Sequence, residues 1–265
     1  PSLGLLMQGA VLTKLCVTPN LAAHLLGSMG SRFSRVGTLK TSNTLGLDDD
    51  QSLYSGFNAS SEIELLAVTT ELSLVLDCDT PMIFKLVPSQ GPDQVIKALT
   101  FDLEGGLEET HFSDGHGNQC VRALMLKGAS SLRVSFEGQQ ISNGSTRVGH
   151  FVPIQALPVA VLLFLQPSRY CEADQFLNIT REVITDCSPG YDQIERICSF
   201  VQTKFRYEPG SSRTPRSALD AMQDDAGVCR DFAHVSIAML RSISIPARYV
   251  VGYLGGLLPQ DVHAW

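Results

Sequence analysis

No Cys-x-x-Cys pair occurs in this chain: its seven cysteines stand at 16, 78, 120, 171, 187, 198 and 229. An odd count with wide, irregular spacing fits neither a disulfide framework nor a zinc site, and predicts reduced thiols and a cytoplasmic setting. Positive charge is scarce too, with 20 Lys and Arg against 27 Asp and Glu and a formal charge of −7. A nucleic-acid partner therefore gets no electrostatic support. Long apolar runs are missing as well. The strongest, "VAVLLFL" at 159–165, lies between Pro158 and Pro167, far short of the roughly 20 residues that cross a bilayer, so no membrane partner is expected. The early stretch "LGLLMQGAVLTKLCV" lacks a basic leader and carries Lys14, and is not read as a signal peptide. His111 and His116 flank a turn without a second ligand pair at suitable spacing, so no metal site is expected there.

What remains is ordinary globular material, 265 residues with 44% apolar and 18% charged, enough for one large domain or two modest ones. Residues 1–61 read as a leader without defined elements. "GSMGSRFSRVGTLKTSNTLGLDDDQS" is rich in Gly, Ser and Thr and has no sustained period; an amphipathic helix near 9–26 is the one element considered before it. Residues 62–155 change texture to short β-leaning runs. In "SLRVSFEG" Leu132, Val134 and Phe136 alternate with Arg133, Ser135 and Glu137, the period of a half-buried strand. "SDGHGN" at 113–118 carries tight-turn chemistry. A small antiparallel β domain follows from this.

Residues 165–265 form a second domain in which the period becomes helical. In "GYDQIERICSFVQTKF" Tyr191, Ile194, Ile197, Cys198, Val201 and Phe205 fall on one helix face. Ser217, with Asp220 three residues on, predicts a capped helix start. Gly227 marks a break, and a further helix is expected from Cys229 to Ser242, stopped by Pro246. "ARYVVGYL" and "VHAW" read as strands. The class is α+β. The chain starts with Pro and ends within a strand-like pattern, so it is expected to be a fragment at both ends.

The candidate chemistry lies in Cys229 and His263, 263 − 229 = 34 residues apart. A thiol attacks a carbonyl carbon as thiolate, and a helix N-terminus and a nearby imidazole both favour that form. The Cys229 amide could serve a tetrahedral oxyanion, with Gln223, six residues earlier, as a weak second donor. The bland reading is a packed, unreactive cysteine. His234, five positions after Cys229 and ~500° around the helix, points away from the thiol and is expected to make a structural hydrogen bond. Arg248 is expected to pack or pair, and Trp265 to shield the His263 ring.

The run "AGVCRDFAHVSIAMLRSISIPARYVVGYL" followed by "HAW" resembles the transglutaminase-like superfamily, in its bacterial cysteine-peptidase-like branch. "PSRYC", "GYD" and "SALD" upstream share the likeness, as does the β region from about Leu65 onward; the first 60 residues do not. The resemblance implies a papain-like core and a Cys–His–Asp triad, with Cys229 as nucleophile and His263 as general base. The triad acid would lie beyond Trp265, so this piece of chain is expected to be inactive or nearly so. Neither Asp231 nor Asp261 is promoted to that role. The implied activity is a cysteine peptidase or amidase acting at a carboxamide of a peptide or protein substrate, without cofactor. The alternatives are a protein-crosslinking transglutaminase and a non-catalytic interaction module of the same fold.

Overall fold

The computed structural model describes residues 10–11, 29–40, 62–91, 94–142, 151–212, 216–254 and 262–265. Strands and helices are both present, in the α+β arrangement expected. The chain divides into two compact units, one of residues 1–146 with 251–262, the other of 147–250 with 263–265.

The first unit is built from β1 (Ala10–Val11), β2 (Met29–Lys40), β3 (Glu62–Leu76), β4 (Thr80–Val87), β5 (Gln94–Glu104), β6 (Gly106–Ser113), β7 (Gln119–Met125) and β8 (Gly128–Ser142). They form an antiparallel sheet in the order β2-β3-β8-β5 and another in the order β4-β7-β6. Alternation decides which side chains turn inward. Met82, Phe84 and Leu86 of β4, Val121, Ala123 and Met125 of β7, and Leu132 and Val134 of β8 share one core with Leu74 and Leu76 of β3. Each large apolar side chain buried this way stabilises by about 1.5–3 kcal/mol. The chain passes from one sheet to the other at Gly105, whose φ of +79° and 2.6 Å approach of a would-be Cβ to Ser130 Oγ leave no room for a side chain. β11 (Val251–Leu254) pairs antiparallel with β1. Its Tyr253 is buried against Phe136, centroids 5.5 Å apart, and donates its hydroxyl to the Leu86 carbonyl at 3.1 Å.

Residues 29–40, which read as loop, are a strand, β2, paired along β3. The segment has no apolar alternation of its own, and its order comes from the backbone ladder that β3 offers, which a single-sequence pattern does not reveal. The helix considered near 9–26 lies mostly outside the described residues, apart from Ala10–Val11 in β1.

In the second unit α1 (Val159–Leu162) and a 3-10 turn at Leu163–Leu165 precede α2 (Leu177–Val183), α3 (Tyr191–Lys204), α4 (Ala218–Met222) and α5 (Cys229–Ser242). Ser217 caps α4 as its spacing predicts: its hydroxyl accepts from the Asp220 amide at 3.3 Å, and the Asp220 carboxylate accepts from the Ser217 amide at 2.9 Å. α5 is the central element. Its Val235, Ala238 and Met239 are fully buried in a core shared with Phe176 near α2, Ile197 and Val201 of α3, and Ala218 and Ala221 of α4. The expected strand in "ARYVVGYL" is confined to Val251–Leu254. The Ala247 amide donates instead to the Phe164 carbonyl at 3.1 Å, and the Ala247 carbonyl accepts from Arg241 Nε at 2.8 Å, so that backbone is committed elsewhere. Among the described residues no helix is long and apolar enough to cross a membrane.

Candidate active site

The start of α5 is shaped by a glycine and a buried carboxylate. β9 (Arg206–Tyr207) runs parallel to β10 (Ala226–Gly227), which leads directly into the helix. A Cβ at Gly227 would stand 3.0 Å from Asp231 Cβ and 3.1 Å from its Oδ2, so glycine makes the space that Asp231 occupies. Val228 is extended, with φ −106° and ψ 172°, and α5 begins at Cys229. Valine has no side-chain acceptor, so the first turn is closed by its own residues. The amides of Asp231 and Phe232 donate to the Val228 carbonyl at 2.8 and 3.3 Å, while the Val228 amide donates to Asp231 Oδ2 at 2.9 Å.

Asp231 is 0% exposed. A carboxylate so placed costs several kcal/mol unless paired and hydrogen-bonded, and here it is both. The Ser212 hydroxyl donates to Oδ1 at 3.0 Å, and Arg216 Nη1 stands 3.6 Å from Oδ2. Arg230 donates to Ser212 Oγ at 2.7 Å, and Arg216, itself buried, pairs with Asp224 at 2.6 Å. Both Asp231 oxygens are thus engaged in holding the helix start.

Cys229 is half-buried at the first position of this 14-residue helix, where dipole and amide groups favour an anion. Two other thiols of this unit are disfavoured as anions: burial pushes Cys171 up to about 11, even with Arg241 nearby, and burial with Glu195 raises Cys198. All six cysteines of the described residues are thiols. His263 lies on β12 (Val262–Ala264), in the same compact unit as Cys229. Reciprocal 2.9 Å backbone bonds between Val250 and Trp265 hold that end of the chain. The His263 ring is half-buried, with its centroid 5.9 Å from that of Trp265. Burial lowers its pKa, and its buried Nδ1 has no hydrogen-bond partner. An imidazole kept neutral with an unoccupied nitrogen can accept a proton.

The other candidates fall as follows. Gln223 is exposed, at the C-terminal end of α4. His234 is buried, stacked on Tyr170 at 5.6 Å and tilted against Tyr249 at 5.0 Å, with its ring bonded to the Arg216 backbone. Its place is structural, as its helical phase implies. Arg248 is exposed with its guanidinium 5.9 Å from the Phe164 ring, and makes a packing contact. Asp261 lies outside the described residues. Among the described residues no three His, Cys, Asp or Glu side chains are grouped to hold a metal ion. Ser212 and Arg216 were not legible from sequence, because an isolated Ser and Arg in a Ser/Arg/Pro-rich stretch look like solvated loop.

Residues 177–265 match the family model described as the transglutaminase-like superfamily. An uncharacterised protein of Mycobacterium leprae is 32% identical over 109 residues, covering 38% of this chain and 39% of that one. An uncharacterised protein of Mycobacterium tuberculosis H37Rv is 35% identical over 86 residues, 29% of this chain and 27% of that one. This chain therefore spans less than half the length of these curated relatives. Among solved structures, a protein from Cytophaga hutchinsonii described as a "Putative Cysteine Protease" is similar with a TM-score of 0.69 and 26% identity, over 76% of this chain and 70% of that one. The ordered run from Gly227 to His263, the helix beginning at Cys229 and these matches converge: over residues 177–265 the chain carries a domain of the transglutaminase-like superfamily.

Proposed function

We propose that this domain is a thiol acyl-transfer hydrolase, a peptidase or amidase acting on a carboxamide of a peptide or protein. The observation that carries the reading is Cys229 as the first residue of α5, in one compact unit with a His263 imidazole that burial keeps neutral and whose Nδ1 is unoccupied. His263 takes the thiol proton, and the Cys229 sulfur forms a bond to the carboxamide carbon. The tetrahedral oxyanion collapses by breaking the C–N bond, and the amine or ammonia leaves with the proton from His263. Water then cleaves the thioester, releasing a carboxylic acid and restoring the thiol. The Cys229 amide is the first donor to the oxyanion in this scheme. Gln223, exposed at the end of α4, is a secondary one.

The test is site-resolved alkylation with iodoacetamide at pH 6, read by peptide mass mapping. Cys229 is expected to react at least about tenfold faster than the exposed Cys78, as thiolate-activated cysteines do, and Cys229→Ala to remove the fast phase. Equal rates at the two positions would overturn the reading. Where ammonia is released from a carboxamide peptide, adding a primary amine separates hydrolysis from crosslinking: incorporation of the amine into product would replace the hydrolase with a transglutaminase.

A further inference from the structure

We propose that Asp231 is a positioning residue for the Cys229 thiol, acting through the Val228 amide and held in place by Ser212 and Arg216; this rests on Cys229 being the nucleophile. Helix starts are usually capped by the side chain of the residue just before the first turn. Here that residue is Val228, which makes no such bond, and the carboxylate of Asp231 reaches back to the Val228 amide instead. The amide so held belongs to the residue that immediately precedes the nucleophile. Its geometry fixes the entry of the chain into α5 and hence the direction in which the Cys229 side chain leaves the helix.

Three further features indicate that this arrangement is built for position. The carboxylate is 0% exposed and receives donors from two separate stretches, Val228 and Ser212, with Arg216 alongside. Gly227 is tolerated in β10 at the cost of a side chain because a Cβ there would meet Asp231 at 3.0 Å. Finally, the Arg216 backbone also accepts from His234, one turn further along α5. Ser212 and Arg216 thus contact α5 at Asp231, and Arg216 also at His234.

Charge is balanced around this point. A carboxylate two residues from a thiolate opposes that thiolate, but the guanidiniums of Arg216 and Arg230 reach the same cluster, with Asp224 on the outer side of Arg216. The carboxylate can therefore hold the backbone while its charge at the sulfur is offset. Geometry and charge are separable by substitution. Asp231→Asn keeps an oxygen for the Val228 amide and turns an N–H toward Ser212 Oγ, while it removes the negative charge. Asp231→Ala removes both.

The experiment measures the pH profile of Cys229 alkylation in the whole chain, for variants whose folded state is checked by circular dichroism. Asp231→Ala is expected to lower the plateau alkylation rate at least tenfold. Asp231→Asn is expected to stay within about threefold of the parent rate and to reach half-maximal rate at the same or a lower pH, since a negative charge two residues from the thiol is removed. A residue that only stabilised the fold would change the urea midpoint in both variants and leave the profile of the folded protein in place. That result overturns the proposal. If Asp231→Ala does not fold, Gly227→Ala, which pushes a methyl group into the carboxylate, and Ser212→Ala, which deletes a donor to it, carry the test. Both are then expected to slow Cys229, and unchanged profiles in the two overturn the proposal equally. Failure of the parent reading looks different: the unsubstituted Cys229 would itself react no faster than Cys78.

Discussion

Protonating His234 should destabilise the helical unit by an amount that the structure sets. The ring is 6% exposed, lies between Tyr170 and Tyr249, and has its Nδ1 buried without a partner. Burial first, and then the nearby Arg230, push its pKa down from 6.5 to about 4, against the weaker upward pulls of Asp231 and the Arg216 backbone. A basic group depressed in this way is neutral in the folded protein and charged in the unfolded one between those two values. The unfolded state then binds more protons, so stability rises with pH through that window. The contribution is complete above pH 6.5 and is lost as pH falls toward 4. At 1.36 kcal/mol per pKa unit, a depression from 6.5 to about 4 amounts to about 3 kcal/mol across the window.

The perturbation that isolates this effect is His234→Phe. Phenylalanine can stack between the same two tyrosines but cannot titrate, and it leaves the Arg216 backbone without its donor, a loss of about 1 kcal/mol at neutral pH. Urea unfolding, followed by the fluorescence of Trp265, the chain's one tryptophan, reports on the unit that contains both residues. Transition midpoints are compared rather than intensities, because His263 sits beside that indole. At pH 7.5 the variant should be the less stable protein. By pH 4.5 the order should reverse by about 1–2 kcal/mol, the titration loss minus the lost hydrogen bond. His263 titrates in both proteins and cancels. A difference between the two that stays constant from pH 7.5 to 4.5 would refute the assignment of a buried, neutral His234.

Two further substitutions test the packing of the two units, one in each. Met125→Ala in β7 empties a position that is 0% exposed in the β unit, and should lower stability by about 2–5 kcal/mol in urea unfolding followed by circular dichroism. Arg241→Met removes the bonds from Nε to the Ala247 carbonyl at 2.8 Å and from Nη1 to the Gln166 carbonyl at 2.7 Å. It should cost about 2 kcal/mol, with faster amide hydrogen exchange at Ala247, whose own N–H bond to Phe164 depends on the same loop.

The parts of the fold that sequence reading reached are those governed by local signals. The apolar spacing from Tyr191 to Phe205 corresponds to α3, Ser217 and Asp220 form the cap at α4, and the break at Gly227 places the start of α5 at Cys229. Each rests on residues within about one or two helical turns of one another. β2 was missed because its strand character is lent by β3, which begins 22 residues after β2 ends. Arg216 and Asp231 were missed in a different way. Charged residues read as solvated by default, yet these two are 7% and 0% exposed. Hydrophobic periodicity tells which face of a helix goes inward. It is silent on which polar groups go in with that face, because their burial depends on a partner far away in the chain.

That silence matters most at the proposed nucleophile. From sequence alone, Cys229 stands out only by its expected place at a helix start, a weak signal among seven cysteines that the family resemblance strengthens. The fold separates them physically. Cys171 is driven toward its protonated form by burial, and so is Cys198 with Glu195 adding to the effect, whereas Cys229 opens a helix whose first turn is closed from behind by Asp231. In the proposed mechanism, a base lowered by burial, as His263 is, would be a poor partner for a thiol with an ordinary pKa, since the proton transfer between them would run uphill. The two become a matched pair only if the helix start lowers the cost of the thiolate. The geometry that Asp231 maintains and the neutrality of His263 are therefore linked requirements: loosening the first turn of α5 should reduce Cys229 reactivity even where the imidazole is untouched.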